Sequence, residues 1–294
     1  RVFVEQAGQK PFIVWYAPLL PHSPHTPPDS LLQKYLKVAS SKPIAAYWAS
    51  VEWFDQTCGE LIDLLEEKKL REDTIIIYIC DNGYIQDPDK PNKFAPRSKL
   101  SPYEGGVRTP IMISWPGRIA PGSVSAVPIH AVDYYPTFAA LAGATVPAGH
   151  RLDGENLVPL LTGTGGLRRD TLYWHMPTYT AMYGRTPCAV VRRGEWKLIR
   201  YFGDFLDTTG LLPVHGGLYG RLVLGARTEL YHISSDVSEA RDVAALEPAR
   251  VKELSGALDT FLAETNARLP QPNPAFRAGN PEWWRLPKRG AGEP

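Results

Sequence analysis

Two short polar loops each follow an apolar run in this 294-residue chain. Residues 74–80 (Thr-Ile-Ile-Ile-Tyr-Ile-Cys) lead into Asp81-Asn82-Gly83, and Pro11-Phe12-Ile13-Val14-Trp15-Tyr16-Ala17-Pro18 leads towards Pro21-His22-Ser23-Pro24-His25. Seventeen positions past Asn82 stands Lys99, just ahead of Tyr103-Glu104-Gly105-Gly106-Val107-Arg108. The side-chain oxygens of Asp81 and Asn82 are hard donors of the kind Ca²⁺ or Mg²⁺ takes. A lysine beside such an ion can hold an anionic oxygen or help a leaving group depart, and His22, in a proline-stiffened loop, can meet an anion or pass a proton. The set suits metal-assisted hydrolysis of an anionic ester.

Each signal also has a plainer reading. Asn-Gly is a common turn, a lone lysine is usually solvated, and His22-x-x-His25 lacks the third ligand of a transition-metal site. Two oxygens are also too few for a complete calcium site, so further ligands are needed. The neighbours of Lys99 shift the balance: Gly105-Gly106 permits close backbone approach, and Tyr103, Glu104 and Arg108 are expected to cluster around the lysine.

These loops must be held by elements. Residues 11–18 read as a buried strand, residues 43–70 as a long helix with Val51, Phe54, Cys58, Leu61 and Leu65 in one apolar stripe, and residues 74–80 as a second buried strand. Strand, helix, strand is a crossover unit, so the sheet is expected to be mainly parallel, with ligands at its strand ends. Residues 110–115 form a further short strand and 132–143 a helix. From about residue 164 the texture changes to hairpins: strands at 172–175, 188–192, 196–200 and 229–233, a turn at Arg193-Gly194-Glu195, then a helix at 248–267. The expected division is an α/β unit over 1–163, an antiparallel subdomain over 164–268 and a loosely ordered tail over 269–294.

Composition narrows the classes. With 32 Lys and Arg against 31 Asp and Glu the net charge is +1, which gives no field for nucleic acid or an anionic membrane, and no apolar run approaches a membrane span. Cys58, Cys80 and Cys188 make no disulfide framework and read as small core residues.

The chain resembles a type I sulfatase of the alkaline-phosphatase-like superfamily over roughly residues 11–265. The resemblance rests on Pro11-Phe12, Ala17-Pro18 and Pro21-His22, on Tyr47, Val51-Glu52 and Asp55, on Cys80-Asp81-Asn82-Gly83, and above all on Lys99 with Tyr103-Glu104-Gly105-Gly106-Val107-Arg108-Thr109-Pro110. Leu152-Asp153-Gly154, Leu160-Leu161, Arg193-Gly194-Glu195-Trp196-Lys197-Leu198 and Glu229-Leu230-Tyr231 also match. It implies an α/β fold with a mainly parallel sheet sandwiched by helices, incomplete at the N-terminus, plus a small C-terminal antiparallel sheet and helix. It also implies hydrolysis of a small-molecule or carbohydrate sulfate ester in a periplasmic or secreted setting. By this resemblance Asp81 and Asn82 ligate Ca²⁺ (Mg²⁺ being the alternative), Lys99 binds the sulfate and assists the leaving oxygen, and His22 contacts the ester. His25, which fits the pattern less well, His175 and Arg108 are further substrate contacts. Trp174, His175, Tyr179, Tyr183 and Arg185 read either as an aromatic, basic rim or as parts of the small sheet. Such enzymes use a formylglycine made from Cys or Ser in Cys/Ser-x-Pro/Ala-x-Arg. The expectation is that no instance lies within this chain and that the nucleophile sits upstream of Arg1, which makes the segment alone inactive. A phosphodiester or phosphonate monoester hydrolase, and a non-catalytic carbohydrate-binding relic, are the alternatives.

Overall fold

The computed structural model describes residues 1–178, 187–203 and 225–271, with short strand pieces between 205 and 223. Helices α1 (Val2–Ala7), α2 (Asp29–Leu36) and α3 (Lys42–Glu67) come first. Ser41 caps α3, and Pro43 sits in its first turn, where the missing N–H costs nothing. Ala45 and Ala49, four apart, are fully buried, and Phe54 carries the expected stripe onto Tyr78 of the next strand with ring centroids 6.0 Å apart.

That strand, β1 (Ile76–Ile79), pairs with β2 (Ile111–Ser114), and here the structure corrects the sequence reading. The pair is antiparallel, Ile76 opposite Ser114 and Ile79 opposite Ile111, and no parallel pair occurs among the described strands. The connection from β1 to β2 contains only the one-turn helix α4 (Glu104–Val107), and without a crossover helix the chain returns alongside itself in the opposite sense. Residues 11–18 are not a strand either. They make no ladder with any described strand, and Ile13 and Trp15 are 70% and 86% exposed.

Helices α5 (Tyr134–Leu141) and α6 (Val158–Leu161) are joined through Asp133. Its buried carboxylate takes two hydrogen bonds from the Arg169 guanidinium, at 2.5 and 2.7 Å, and one each from the backbone N–H groups of His130 and Glu155. Burial alone would raise this carboxyl, but those four donors hold it below the usual range.

The C-terminal sheet follows the sequence reading. Strands β3 (Thr171–Met176), β4 (Cys188–Arg193) and β5 (Trp196–Tyr201) are antiparallel neighbours. Two short pairs, β6 (Phe205–Asp207) with β9 (Arg221–Val223) and β7 (Pro213–Val214) with β8 (Leu218–Tyr219), precede β10 (Arg227–His232), which joins β5. Alternation divides the sheet. One face sends Ala189, Val191, Leu198 and Leu230 against Leu254, Leu258 and Leu262 of α7 (Pro248–Glu264).

The other face carries Lys197, Tyr201, Glu229 and Tyr231, and it receives Tyr103 and Glu104. Lys197 is completely buried, its ammonium 2.9 Å from a carboxylate oxygen of Glu104 and 2.9 Å from one of Glu239. The Glu229 carboxylate accepts from the hydroxyls of Tyr103 and Tyr231, each at 2.9 Å. The expected cluster of Tyr103 and Glu104 around Lys99 is therefore not what forms, because both side chains are spent on the core of the C-terminal sheet. Removing the cation of a buried cluster strands its carboxylates without compensation. Lys197→Ala is expected to lower the unfolding free energy by about 3–5 kcal/mol in urea titration; a loss below about 1 kcal/mol would show that water reaches these carboxylates.

Candidate active site

Asp81-Asn82-Gly83 leaves the end of β1 and folds onto the turn of α4. The Gly83 N–H donates to the Gly106 carbonyl at 2.9 Å. The approach is so close that a Cβ on Gly83 would lie 2.1 Å from the Gly105 carbonyl oxygen, which only glycine avoids. Two residues on, the Ile85 N–H donates to Ser98 Oγ at 2.6 Å, and the Ala95 N–H donates to the Ile85 carbonyl at 2.8 Å. Lys99 follows Ser98 directly. The structure thus brings the Asp81-Asn82 loop and the Lys99 loop into one cluster seated on Gly105-Gly106. The Lys99 ammonium makes no hydrogen bond or ion pair with another described residue.

Within the loop, Asp81 is exposed and one of its oxygens accepts from the Asn82 N–H at 2.9 Å, while the Asn82 amide donates to the Gly83 carbonyl. Both residues have the hard oxygens that Ca²⁺ or Mg²⁺ takes. No group of three or more His, Cys, Asp or Glu assembles around them among the described residues. The donors fit such an ion in kind and would supply only part of its shell.

The two proline-loop histidines part company. His22 is exposed, and its Nδ1 lies 2.6 Å from the Ser23 carbonyl. His25 packs its ring against Tyr47 and Tyr84, at 5.3 and 5.9 Å, and its backbone N–H donates to Asn92 Oδ1 at 2.8 Å. Its Nε2 is buried without a partner. Tyr84 follows Gly83, so His25 is the histidine packed against the Asp81-Asn82 loop. Tyr47 and Tyr84 were not singled out for this role by the sequence; the adjacency of Tyr84 to Gly83 was the available signal. Burial pushes Tyr84 up to about 12.

Of two further expected substrate contacts, His175 lies elsewhere and Arg108 borders the loop cluster. The Nε2 of His175 meets the Arg268 carbonyl at 2.9 Å and its ring sits edge-on to Phe202, which places it at the border of the C-terminal sheet and α7. Arg108 is mostly exposed, 3.9 Å from Glu104, on an open cleft of about 450 Å³ shared with Ile85, Arg97 and Val237. Of the proposed rim, Tyr179, Tyr183 and Arg185 lie outside the described residues, and Trp174 packs edge-on with His130 at 5.4 Å.

The expectation that no formylglycine-type motif occurs in the chain needs correction. Ser114-Trp115-Pro116-Gly117-Arg118 has the Ser-x-Pro-x-Arg spacing. The structure does not place it with the cluster. Ser114 ends β2 opposite Ile76, five residues before Asp81 on β1, so the two are about 16 Å apart along the strand direction. Its hydroxyl accepts from the Arg71 guanidinium at 2.5 Å.

Comparison with known proteins finds sulfatases. The model of the family described as Sulfatase matches residues 1–144, and that described as N-sulphoglucosamine sulphohydrolase, C-terminal, matches residues 98–212. A sulfatase of Formosa agariphila is 29% identical over 243 residues, covering 76% of this chain and 40% of its own. The structure of Ps i-CgsB in complex with k-i-k-neocarrahexaose superposes with a TM-score of 0.70 at 24% identity, over 92% of this chain and 55% of that one. BT4656 in complex with D-glucosamine-2-N,6-O-disulfate gives 0.61 at 26% identity, over 78% and 42%. The two family models together match residues 1–212, so the chain is similar to sulfatases over most of its length, and it spans less than half the length of the curated relatives it matches. No helix among the described residues is long and apolar enough to cross a membrane.

The histidine environments carry a measurable consequence. Burial lowers His25, with the Pro21 carbonyl partly opposing, and burial likewise lowers His130. A histidine whose folded value lies below its unfolded value gives up stability as pH falls from the unfolded value through the folded one. His25→Gln is free of that penalty. The stability advantage of the wild type over this variant should therefore shrink between pH 7 and pH 5 in paired thermal melts, and an advantage that grows on acidification would contradict the buried neutral ring.

Proposed function

We propose that the parent protein is a sulfuric ester hydrolase in which this chain supplies the Asp81-Asn82 ligands and the Lys99 cation. The observation that carries the reading is the seating of the Asp81-Asn82 loop and the Lys99 loop on the same pair of glycines. Bond cleavage between oxygen and sulfur builds negative charge on the departing oxygen, and a fixed ammonium beside a metal ion lowers the cost of that charge.

Asp81 and Asn82 would hold a hard divalent cation, Ca²⁺ first and Mg²⁺ second, together with ligands from other groups. Bound there, the ion would polarise the sulfate oxygens. Lys99 would bind the same sulfate and steady the leaving oxygen. A proline-loop histidine would supply the proton to that oxygen. The sequence ranks His22 first for this, while the ring that packs on the metal loop is that of His25. The nucleophile, a formylglycine in this reading, comes from residues other than Ser114. A sulfated sugar is the preferred substrate class, since BT4656, whose complex contains a sulfated glucosamine, is 26% identical to this chain.

The test is turnover of an activated aryl sulfate and of a sulfated monosaccharide by the parent protein. Lys99→Ala should lose about 10²-fold or more in rate while keeping its fold. His22→Ala and His25→Ala decide which imidazole serves, the greater loss marking it. The 294-residue chain alone should show no turnover. Preference for a phosphate diester over both sulfates would replace this reading with the phosphodiesterase one, and no hydrolysis of any of the three by the parent protein would leave a binding relic.

A further inference from the structure

We infer that Arg97 is a positioning residue for Lys99, through which the C-terminal sheet sets the turn that presents that ammonium; the inference rests on Lys99 being a sulfate-binding group. The turn that presents Lys99 is not locally stable by any regular pattern. Arg97 (φ 55°) and Leu100 (φ 72°) both occupy the left-handed region, which ordinary side chains rarely hold, and they bracket Ser98-Lys99. Such a turn persists only where its surroundings over-determine it.

Those surroundings are visible. The Arg97 guanidinium lies 4.3 Å over the Tyr103 ring and donates a short hydrogen bond to the Glu239 backbone carbonyl. Glu239 itself adopts a positive φ of 54°, holds the Glu104 N–H at 2.5 Å through its carboxylate, and shares Lys197 with Glu104. From below, Gly105 comes so close that a Cβ there would lie 2.4 Å from the Arg97 carbonyl oxygen. Ser98 completes the clamp: its carbonyl accepts from the Ser101 N–H and hydroxyl, at 3.1 and 2.6 Å. Arg97 thus links the turn that carries Lys99 to a buried ionic cluster through Glu239, 142 residues away in sequence.

A lysine cannot replace it. The planar guanidinium stacks on Tyr103 and reaches the Glu239 carbonyl at once, whereas an ammonium on a flexible stem has no plane to stack. Charge is conserved in Arg97→Lys and geometry is lost, so the variant isolates positioning from electrostatics.

The experiment labels the lysines of the 294-residue chain by reductive ¹³C-methylation and assigns the Lys99 signal with Lys99→Arg. Lys99 is half-buried, so in the wild type its methyl resonance should stand apart from those of freely rotating surface lysines. In Arg97→Lys it should move to the position and narrow linewidth of those lysines. Leu258→Ala, a cavity under α7, should lower the melting temperature while leaving the Lys99 resonance in place. A Lys99 signal unchanged by Arg97→Lys, or displaced as far by Leu258→Ala, overturns the inference. Failure of the role proposed for Lys99 would register separately, as full sulfatase turnover by the Lys99→Ala parent protein.

Discussion

A single buried ammonium fixes the arrangement of the molecule. Lys197 reaches from the C-terminal sheet to Glu104 and Glu239 with no exposure to water, and a charge in that position is tolerated only where partners surround it. Glu104 begins the turn on which both site loops rest. Tyr103, one residue earlier, bonds Glu229 of the same sheet. Burial raises the carboxyls of both Glu229 and Glu239, in Glu239 against the pull of Lys197. The folded state therefore gains from these two groups below their unfolded value and loses that gain as pH climbs through the folded one.

This gives the most specific sequence block a structural meaning. Tyr103-Glu104 faces the core, Gly105-Gly106 provides the floor on which Asp81-Asn82-Gly83 and the Lys99 turn lie, and Arg108 returns to the surface. The blocks at Trp196-Lys197-Leu198 and Glu229-Leu230-Tyr231 supply the other half of the same ionic core. Segments that look like separate family marks are one interaction seen from several places in the chain. In the proposed reaction the chemistry falls to Asp81 and Lys99, whose side chains bond little else in the fold.

Short apolar runs joined by a turn made the C-terminal strands and their hairpin legible, because both faces of β4 and β5 are largely buried and Gly194 closes the turn at φ 55°. The helix α7 was legible from its period as well. Strand direction in the first half was not: an apolar run says that a strand is buried, and nothing in Ile76–Ile79 tells whether its neighbour runs with it or against it. Residues 11–18 have strand composition but no described partner, and a strand is a property of a pair. At the site, the residue types of Asp81, Asn82 and Lys99 were readable. The packing of His25 between Tyr47 and Tyr84 was not, since those rings come from three distant segments. The roles of Tyr103 and Glu104 were misjudged because proximity in sequence to Lys99 was read as proximity of side chains.

The central claim is that the site loops are as firmly held as the sheet to which the Lys197 cluster ties them. Native-state hydrogen exchange tests this directly. The amides of Gly83, Ile85 and Gly106, each bonded within the loop cluster, should exchange only through the opening that also exposes Leu198 and Ile199 in β5, with the same free energy and the same denaturant dependence. Exchange of the three loop amides through a low-energy local opening, while β5 stays protected, would contradict the account.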